Sequence, residues 1–251
     1  LFLYMYGMAK LSWDIDYERA ESIADGSLSE AEILIAERSR QPKPQCICNE
    51  KYINEFLGLD STCILKTIQN CYSTLDTIDL QLLATGSLPI SELVELANLS
   101  SMVGNLVCAS FSKASNGLYS RNKPHHYPDL IASKKPAIDL EVKMALETNR
   151  PKGHLPKAGN YITFRYVLGD RLGNFLKGKD NRGDTVWIWE IRAGSLTEDD
   201  FDISNTQGDS GKTAVIKTKV FNSMPFLYFD SSLLPYSKKN KAYSVSNLEH
   251  I

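Results

Sequence analysis

The chain has 251 residues, of which 43% are hydrophobic and 23% are charged. This balance is typical of a globular protein with one large domain or two modest ones, and it excludes collagen-like, coiled-coil and disordered chains. The apolar opening Leu1–Met8 is too short to cross a bilayer and lacks the features of a signal peptide. We therefore expect a cytoplasmic protein with no membrane partner. Met5 and Met8 are candidate natural starts.

The net charge of -2 hides an asymmetry along the chain. Residues 1–100 carry 7 Lys and Arg against 15 Asp and Glu, whereas residues 101–251 carry 21 against 15. The basic excess is concentrated between Lys143 and Arg182, where nine basic residues face three acidic ones. Such a segment can follow a phosphate backbone, although charge alone favours a solvated loop.

The five cysteines do not resemble a disulfide framework, because their number is odd and they are scattered over a long chain. Reduced thiols are therefore expected. A zinc site is not expected, since one residue separates Cys46 from Cys48, and Cys63 and Cys71 fall on an apolar helical face.

The first hundred residues are predicted to be mostly helical. Ser27–Glu30 has the form of a capping box at the start of a helix, and the two prolines of Gln41–Pro44 interrupt the helical pattern. Helical spacing of apolar residues then resumes twice before a further helix opens at Gly86–Pro89. The predicted helical segments are Ala31–Glu37, Lys51–Leu59, Cys63–Leu75 and the segment from Gly86–Pro89 to about Ser115.

After Gly117 the apolar pattern changes to that of strands. Short runs rich in β-branched and aromatic residues alternate with connections rich in Gly, Asn, Asp and Lys. The predicted strands are Tyr127–Ala132, Ala137–Ala145, Tyr161–Leu168, Thr185–Arg192, Thr213–Phe221 and Pro225–Phe229. The sequence therefore predicts an α/β or mixed α+β fold with a mostly helical N-terminal portion.

The residues that can carry chemistry lie in the first two predicted strands. Alternation along the second strand places Asp139, Glu141 and Lys143 on one face and the apolar side chains on the other. Ser133–Pro136 has the composition of a turn that returns the chain antiparallel, which brings Asp129 to the acidic face. Two carboxylates are thus expected to meet beside a lysine.

Two carboxylates beside a lysine suit metal-assisted phosphoryl chemistry. Asp129 and Glu141 offer the hard oxygen ligands that Mg2+ prefers, and a bound ion polarises a phosphate and lowers the pKa of a water. Lys143, on the same face, can stabilise the attacking hydroxide or the charge that develops on the phosphate. Because the carboxylates repel each other without a metal, we expect the site to require the ion.

These residues resemble the PD-(D/E)XK signature of restriction-endonuclease-like nucleases. Pro128-Asp129 is followed, after eleven residues, by Glu141-Val142-Lys143, and each half of the motif occurs once in the chain. The resemblance spans about residues 93–167. It implies a mixed β-sheet flanked by helices, catalytic Asp129, Glu141 and Lys143, Mg2+ held by Asp129 and Glu141, and products with 5′-phosphates. The alternative is a structural hairpin with a solvated charged face.

Several further residues are candidates for supporting roles. In enzymes of this kind an acidic residue from the helix before the signature often faces the metals, which points to Glu92 or Glu95, although each alone reads as a solvated helix residue. Thr163 and Arg165 share a strand face and are candidates to support the site or to contact phosphate, with a structural salt bridge as the alternative for Arg165. The candidates for contact with the DNA backbone are Arg150, Lys152, His154 and Lys157.

Three other motifs are assigned no role. Gly208–Gly211 resembles the nucleophile segment of trypsin-like proteases, but Lys212 replaces the next glycine and no histidine stands in a matching context. Gly211–Thr213 resembles the end of a phosphate-binding loop that lacks its first glycine. We interpret both as turns, and we favour an exposed loop over a phosphate or metal contact for His125 and His126.

The sequence therefore predicts a Mg2+-dependent Type II restriction endonuclease that hydrolyses double-stranded DNA. Residues 1–90 are assigned to a helical region for dimerisation or DNA recognition, and residues 91–251 to the nuclease core with C-terminal strands. A homodimer is expected, since each subunit cuts one strand of a palindromic site. Two alternatives stay open: a repair or junction-cleaving nuclease of the same superfamily, and a non-catalytic DNA-binding protein in which Asp129, Glu141 and Lys143 form a surface salt-bridge cluster.

Overall fold

The structure is a computed structural model that describes residues 40–175, 181–204 and 213–235. Its helices are α1 (Glu50–Leu57), α2 (Ser61–Ala84), α3 (Ile90–Leu93), α4 (Leu96–Ala114) and α5 (Thr218–Ser223). Its strands are β1 (Tyr119–Arg121), β2 (Leu130–Ala132), β3 (Glu141–Leu146), β4 (Lys152–Gly153), β5 (Gly159–Gly169), β6 (Thr185–Leu196), β7 (Phe201–Ser204), β8 (Thr213–Ile216) and β9 (Phe226–Phe229). The predicted helix Ala31–Glu37 lies outside the described residues.

A four-stranded mixed sheet of order β3-β5-β6-β9 forms the centre of the fold. β3 and β5 run parallel, whereas β5 with β6 and β6 with β9 run antiparallel. Parallel neighbours need a long connection, and residues 147–158, which include β4, provide it. A mixed sheet with helices packed against it confirms the predicted mixed α/β class.

Helices α2 and α4 cover one face of this sheet. Leu99, Val103 and Val107, at four-residue spacing on α4, are fully buried in the same apolar cluster as alternate residues of β3, β5 and β6. Gly104 allows α4 to approach β3 closely, because a Cβ there would lie 3.1 Å from the Met144 Cγ. The cluster also includes residues of α1 and α2, so the described part of the N-terminal region shares its core with the sheet.

On the opposite face of the sheet, charged residues are buried. Arg165 on β5 and Glu190 on β6 are paired across the strands, with 2.7 Å between Nε and Oε1, and the Arg192 Nε lies 3.1 Å from the same oxygen. Aromatic rings cover these groups: the Arg165 Cζ is 4.8 Å from the Phe221 ring centroid and the Arg192 Cζ is 3.6 Å from that of Phe226. This face is held by a buried ion-pair network rather than by apolar contacts alone.

A second, three-stranded antiparallel sheet of order β4-β8-β7 lies beside β3. Phe201, Ala214 and Ile216 of this small sheet pack with Tyr161 of β5 and Phe221 of α5 in a separate apolar cluster. Strands β1 and β2 form a third, two-stranded antiparallel sheet. The small sheet and the start of β5 together frame the edge of β3 that carries Glu141.

Three predicted strands of the second half are wrong in part, and the first of them, Tyr127–Ala132, begins only at Leu130. The predicted strand Thr213–Phe221 ends at Ile216, and the chain turns into α5, where the Phe221 amide donates to the Lys217 carbonyl at 2.9 Å. The helical turn places the Phe221 ring over the buried arginines, which an extended chain does not do. The predicted strand Ala137–Ala145 begins only at Glu141, preceded by an isolated antiparallel bridge between Leu130 and Leu140.

The helical region also differs from the prediction. The helix expected from Gly86–Pro89 to Ser115 is broken, since Val94 and Glu95 have extended backbone angles between α3 and α4. Helix α2 continues beyond Leu75. The apolar pattern does not show this because a charged residue, Asp76, faces the interior, where its Oδ1 lies 2.6 Å from the Arg40 Nη2. None of the described helices has both the length and the hydropathy needed to span a membrane.

Candidate active site

Asp129 is held beside β3 by backbone hydrogen bonds. Its Oδ2 accepts a hydrogen bond from the Val142 amide at 2.9 Å, and its carbonyl accepts one from the Asn122 amide at 2.9 Å. The antiparallel bridge between Leu130 and Leu140 sets the register of this reversal. The chain therefore returns antiparallel, as expected, and brings the Asp129 carboxylate to the start of β3.

Glu141 and Lys143 project from the same face of β3 and form an ion pair between the Lys143 Nζ and the Glu141 Oε1. Glu141 is only 8% exposed, so its side chain does not lie on the solvated charged face that the structural alternative required. Its second oxygen, Oε2, is buried and accepts no hydrogen bond within the described part of the chain. A buried carboxylate oxygen without a donor is costly, and a cation would relieve that cost.

The electrostatics of Glu141 fit a divalent cation. Burial raises the pKa of the Glu141 carboxyl, the Lys143 ammonium opposes this shift, and the nearby Asp129 carboxylate raises the pKa further. Mg2+ is commonly bound by one or two carboxylates together with waters and substrate phosphate oxygens, so the pair Asp129 and Glu141 is a suitable donor set. No group of three or more His, Cys, Asp or Glu that could hold a metal occurs among the described residues. A metal here would take its remaining ligands from water and substrate.

A cavity of about 300 Å³ opens beside Glu141 and Lys143. Its lining comes from Pro151–Leu155 and Lys157, from Tyr161 of β5, and from Phe201 and Ile216 of the small sheet. The backbone of β4 packs against the Lys143 side chain, because a Cβ on Gly153 would lie 3.4 Å from the Lys143 Cε. Glu141 and Lys143 thus face a space that is large enough to admit part of a substrate.

Exposed cationic or titratable side chains stand on the wall of this cavity. Lys152, His154 and Lys157 line it, and all three are exposed. Within residues 40–175, 181–204 and 213–235, no carboxylate pairs with Lys152 or Lys157. Three of the four predicted DNA-backbone contacts therefore stand together next to the predicted catalytic residues.

Arg150, the fourth predicted contact, is engaged in the small sheet. Its Nη1 donates to the Asp202 Oδ2 at 2.9 Å and to the Ile216 carbonyl at 3.0 Å, and it does not line the cavity. Other basic residues of the 143–182 segment are also neutralised by carboxylates: Arg182 pairs with Glu147 at 2.7 Å. The net charge of this segment therefore overstates its capacity to bind phosphate.

Thr163 and Arg165 lie on the same sheet face as Lys143 but are buried. Thr163 pairs with Lys143 across β3 and β5, and its hydroxyl donates to the Arg192 carbonyl at 3.3 Å. Arg165 forms the salt bridge with Glu190 that the sequence offered as the alternative to phosphate contact, and it is 3% exposed. Neither residue lines the cavity.

The structure does not bring Glu92 to this site. The negative charge of Glu92 acts on Asp184, which directly precedes β6. The first residues of β6 pair with the last residues of β5, whereas Glu141 pairs with the beginning of β5. Glu92 therefore lies at the opposite end of the central sheet.

Glu95 is also remote from the metal-binding candidates. It immediately precedes α4, and Ser100 in the second turn of α4 lies 2.7 Å from the Tyr166 hydroxyl, towards the end of β5. The part of α4 near Asp129 instead carries Cys108, whose pKa burial raises to about 12, with a further contribution from the Asp129 charge. The helix thus presents a thiol rather than a third carboxylate to this side of the site.

Two tyrosines near the site are not identifiable from the motif alone. The Tyr161 hydroxyl donates to the Lys157 carbonyl at 2.8 Å, and the Tyr127 hydroxyl donates to the Ala158 carbonyl at 2.8 Å. The Lys157 Nζ lies 4.4 Å from the centroid of the Tyr127 ring. The only sequence signal for Tyr127 is its position directly before Pro128-Asp129.

The motifs that were assigned no role remain so. His125 and His126 are exposed in the loop before Asp129, as expected. Gly208–Gly211 lies outside the described residues, and Thr213, the last residue of the other glycine motif, begins β8. All five cysteines are free thiols: Cys46, Cys48, Cys63, Cys71 and Cys108.

No protein-family model matches the sequence, and a search of curated proteins gives no significant match.

Proposed function

We propose that this chain is a Mg2+-dependent endonuclease that hydrolyses phosphodiesters in double-stranded DNA at specific sequences, in the manner of Type II restriction endonucleases. The observation that carries this proposal is that Asp129, bonded to the Val142 amide, lies beside the Glu141–Lys143 ion pair, which faces a cavity lined by Lys152 and Lys157. The motif resemblance contributes the double-stranded substrate, the sequence specificity and the 5′-phosphate products.

Asp129 and Glu141 are the residues that would hold Mg2+. When bound, the ion polarises the phosphate and lowers the pKa of a coordinated water. The chain supplies two neighbouring carboxylates. The Val142 amide fixes that of Asp129, and burial leaves one oxygen of Glu141 without a donor among the described residues.

Lys143 is the residue that would act on the reacting phosphate. Its ammonium group contacts Glu141, and its aliphatic part packs against Gly153, so the group is held at the cavity rather than free in solvent. In that position it can stabilise the attacking hydroxide and the charge that accumulates on the phosphate. Removal of one such electrostatic contact typically slows catalysis by about 100- to 1,000-fold.

A polyanionic substrate fits the charges on the cavity wall. Lys152, His154 and Lys157 follow one another along a single segment of chain, which suits successive phosphates of a nucleic-acid strand. We further propose that the protein acts in the cytoplasm as a homodimer, because cleavage of both strands of a symmetric site requires two active sites.

The test is incubation of the purified protein with unmethylated phage DNA, with Mg2+, with Mn2+ and with EDTA. Lys143→Ala is tested in parallel, and Lys66→Ala, which removes an exposed lysine on α2, is the matched control. We expect discrete fragments that require metal and Lys143 but not Lys66.

A smear with the same requirements would keep the nuclease activity and remove the sequence specificity, which would favour a repair enzyme. Branched DNA cut in preference to linear duplex would indicate a junction-cleaving enzyme. DNA that stays intact with both metals, together with binding that Glu141→Ala leaves unchanged, would overturn the proposal in favour of a non-catalytic DNA-binding protein.

A further inference from the structure

We propose that Lys157, placed over the ring of Tyr127, forms a preorganised phosphate-binding subsite for the nucleic-acid strand that enters the cavity. This inference rests on the proposed nuclease function, and it specifies which cation binds the strand outside the reacting phosphate. It also gives Tyr127 the role of a positioning residue.

The backbone at Lys157 is held by two side chains that come from different parts of the fold. The Tyr161 hydroxyl donates to the Lys157 carbonyl and the Tyr127 hydroxyl donates to the next carbonyl, that of Ala158, both at 2.8 Å. Tyr161 belongs to β5, where it pairs with Glu141, and Tyr127 precedes Asp129 by two residues. The segment that carries Lys157 is therefore tied directly to both carboxylate-bearing segments.

The side chain of Lys157 is positioned as well. Its Nζ lies 4.4 Å from the Tyr127 ring centroid, within the range of a stabilising cation–π contact. A free lysine pays an entropy cost when its rotamers are ordered. Because the ring already restricts Lys157, part of that cost is met before a phosphate binds.

The close packing of Tyr127 depends on a glycine. A Cβ on Gly159 would lie 2.1 Å from the Tyr127 hydroxyl oxygen, so a larger residue at position 159 would displace the ring. The contact between Tyr127 and the start of β5 therefore requires the absence of a side chain at this position. This fixes the ring next to Lys157, which itself lines the cavity.

The location and charge of Lys157 fit a phosphate next to the reacting one. The residue lines the same cavity as Glu141 and Lys143, and its side chain is exposed to an incoming strand. The cations that are buried or paired with carboxylates, Arg150 and Arg165, cannot offer the same contact without losing their partners. Lys157 instead keeps its ammonium group at the surface, on an aromatic support.

The experiment measures equilibrium binding of a fluorescein-labelled DNA duplex in EDTA, where no cleavage occurs, between about 50 and 200 mM salt. The variants are Lys157→Ala, Tyr127→Leu, Tyr127→Phe and the double variant Tyr127→Leu/Lys157→Ala, and Lys66→Ala is the control for loss of one positive charge. Far-ultraviolet circular dichroism melting checks that each variant folds.

We expect Lys157→Ala to weaken binding about 5- to 10-fold and to lower the slope of log K against log salt by about 0.9, the effect of one phosphate contact. Tyr127→Leu should weaken binding to a similar extent, whereas Tyr127→Phe, which keeps the ring but loses the hydrogen bond to the Ala158 carbonyl, should weaken it by no more than about two- to threefold. The double variant should bind no more weakly than Lys157→Ala, since the ring acts through the lysine.

Binding and salt slope that Lys157→Ala leaves unchanged would overturn the proposal, and so would fully additive effects of the two substitutions. The proposed function is tested separately by cleavage in Mg2+. If the protein cleaves DNA and Lys157→Ala binds DNA with normal affinity, the nuclease function stands without this subsite. A protein that shows the expected Lys157 dependence in EDTA but never cleaves retains the subsite without the nuclease function.

Discussion

The Asp129 side chain is bonded to the main chain of the neighbouring strand: its Oδ2 accepts a hydrogen bond from the Val142 amide at 2.9 Å. Val142 stands between Glu141 and Lys143, so this bond places the first carboxylate directly beside the other two charged groups. Hydrogen bonds to charged groups contribute about 1.5–3 kcal/mol. The backbone, rather than a flexible side chain, thus sets the orientation of this carboxylate.

This bond allows the charge of Asp129 to be separated from its structural role. We expect Asp129→Asn and Asp129→Ala both to lower cleavage by at least about 100-fold, because each removes a carboxylate ligand. Only Asp129→Ala should lower the free energy of unfolding, by about 1–3 kcal/mol, because the amide oxygen of Asn can still accept from Val142. Cleavage assays and urea unfolding measure the two effects.

Asp139 provides the matched control for these substitutions. Its Oδ1 accepts a hydrogen bond from the Ala132 amide at 2.8 Å, but the residue is exposed. Asp139→Asn should therefore cleave DNA normally. Loss of cleavage as large as that of Asp129→Asn would contradict the assignment of Asp129 as the metal ligand.

Metal binding is expected to be visible in stability without any turnover. Mg2+ at 100 times its dissociation constant should stabilise the native protein by about 2.7 kcal/mol, since it binds the folded chain. Glu141→Gln should lose this stabilisation and should be at least as stable as the unsubstituted protein in EDTA, because the environment of Glu141 disfavours the charged form. Thermal melting in EDTA, Mg2+ and Ca2+ measures both effects, and equal metal shifts in the two proteins would refute the metal site.

The buried network on the sheet is expected to act on stability and not on catalysis. Glu190→Gln leaves the guanidinium groups of Arg165 and Arg192 buried without their carboxylate, which should cost about 3–5 kcal/mol of unfolding free energy. Glu147→Gln, which breaks the more exposed pair with Arg182, should cost about 1 kcal/mol or less. Urea unfolding compares them. Normal stability of Glu190→Gln with weakened DNA binding would instead make Arg165 a phosphate contact.

The placement of Asp129, Glu141 and Lys143 could be predicted because each depends on local rules. Alternation along β3 puts Glu141 and Lys143 on one face, and a short reversal rich in turn-forming residues returns the chain to Asp129. Strands β5 and β6 were predictable for the same reason, since their runs of β-branched and aromatic residues are long.

The partners of the charged residues could not be predicted, because they come from distant parts of the chain. Arg150 is taken by Asp202, and Arg165 by Glu190, across separations of 52 and 25 residues. The cavity beside Glu141 is lined by residues of the small sheet and of the start of β5, and no local pattern reveals this. Sequence alone therefore counts Arg150 as available to DNA and leaves Arg165 undecided, whereas the fold neutralises both.

Asp184 should make the stability of the protein fall as the pH rises. Its Oδ1 accepts a hydrogen bond from the Thr185 hydroxyl at 2.6 Å, and its Oδ2 is buried without a donor among the described residues. Burial raises the pKa of Asp184 from 3.8 to about 7, against the opposing effects of the Thr185 hydroxyl and the Arg171 charge. Because the folded state holds this proton more tightly than the unfolded chain does, its stabilising effect is complete below about pH 4 and is lost as the pH rises towards 7. At most about 4 kcal/mol of unfolding free energy is involved, at 1.36 kcal/mol per pKa unit.

Asp184→Asn, which stays neutral, should show a flatter dependence of unfolding free energy on pH over this range, measured by urea unfolding at several pH values. Asp199→Asn, at an exposed position, should follow the unsubstituted protein. Parallel profiles for Asp184→Asn and the unsubstituted protein would show that the Asp184 carboxyl ionises with an ordinary pKa.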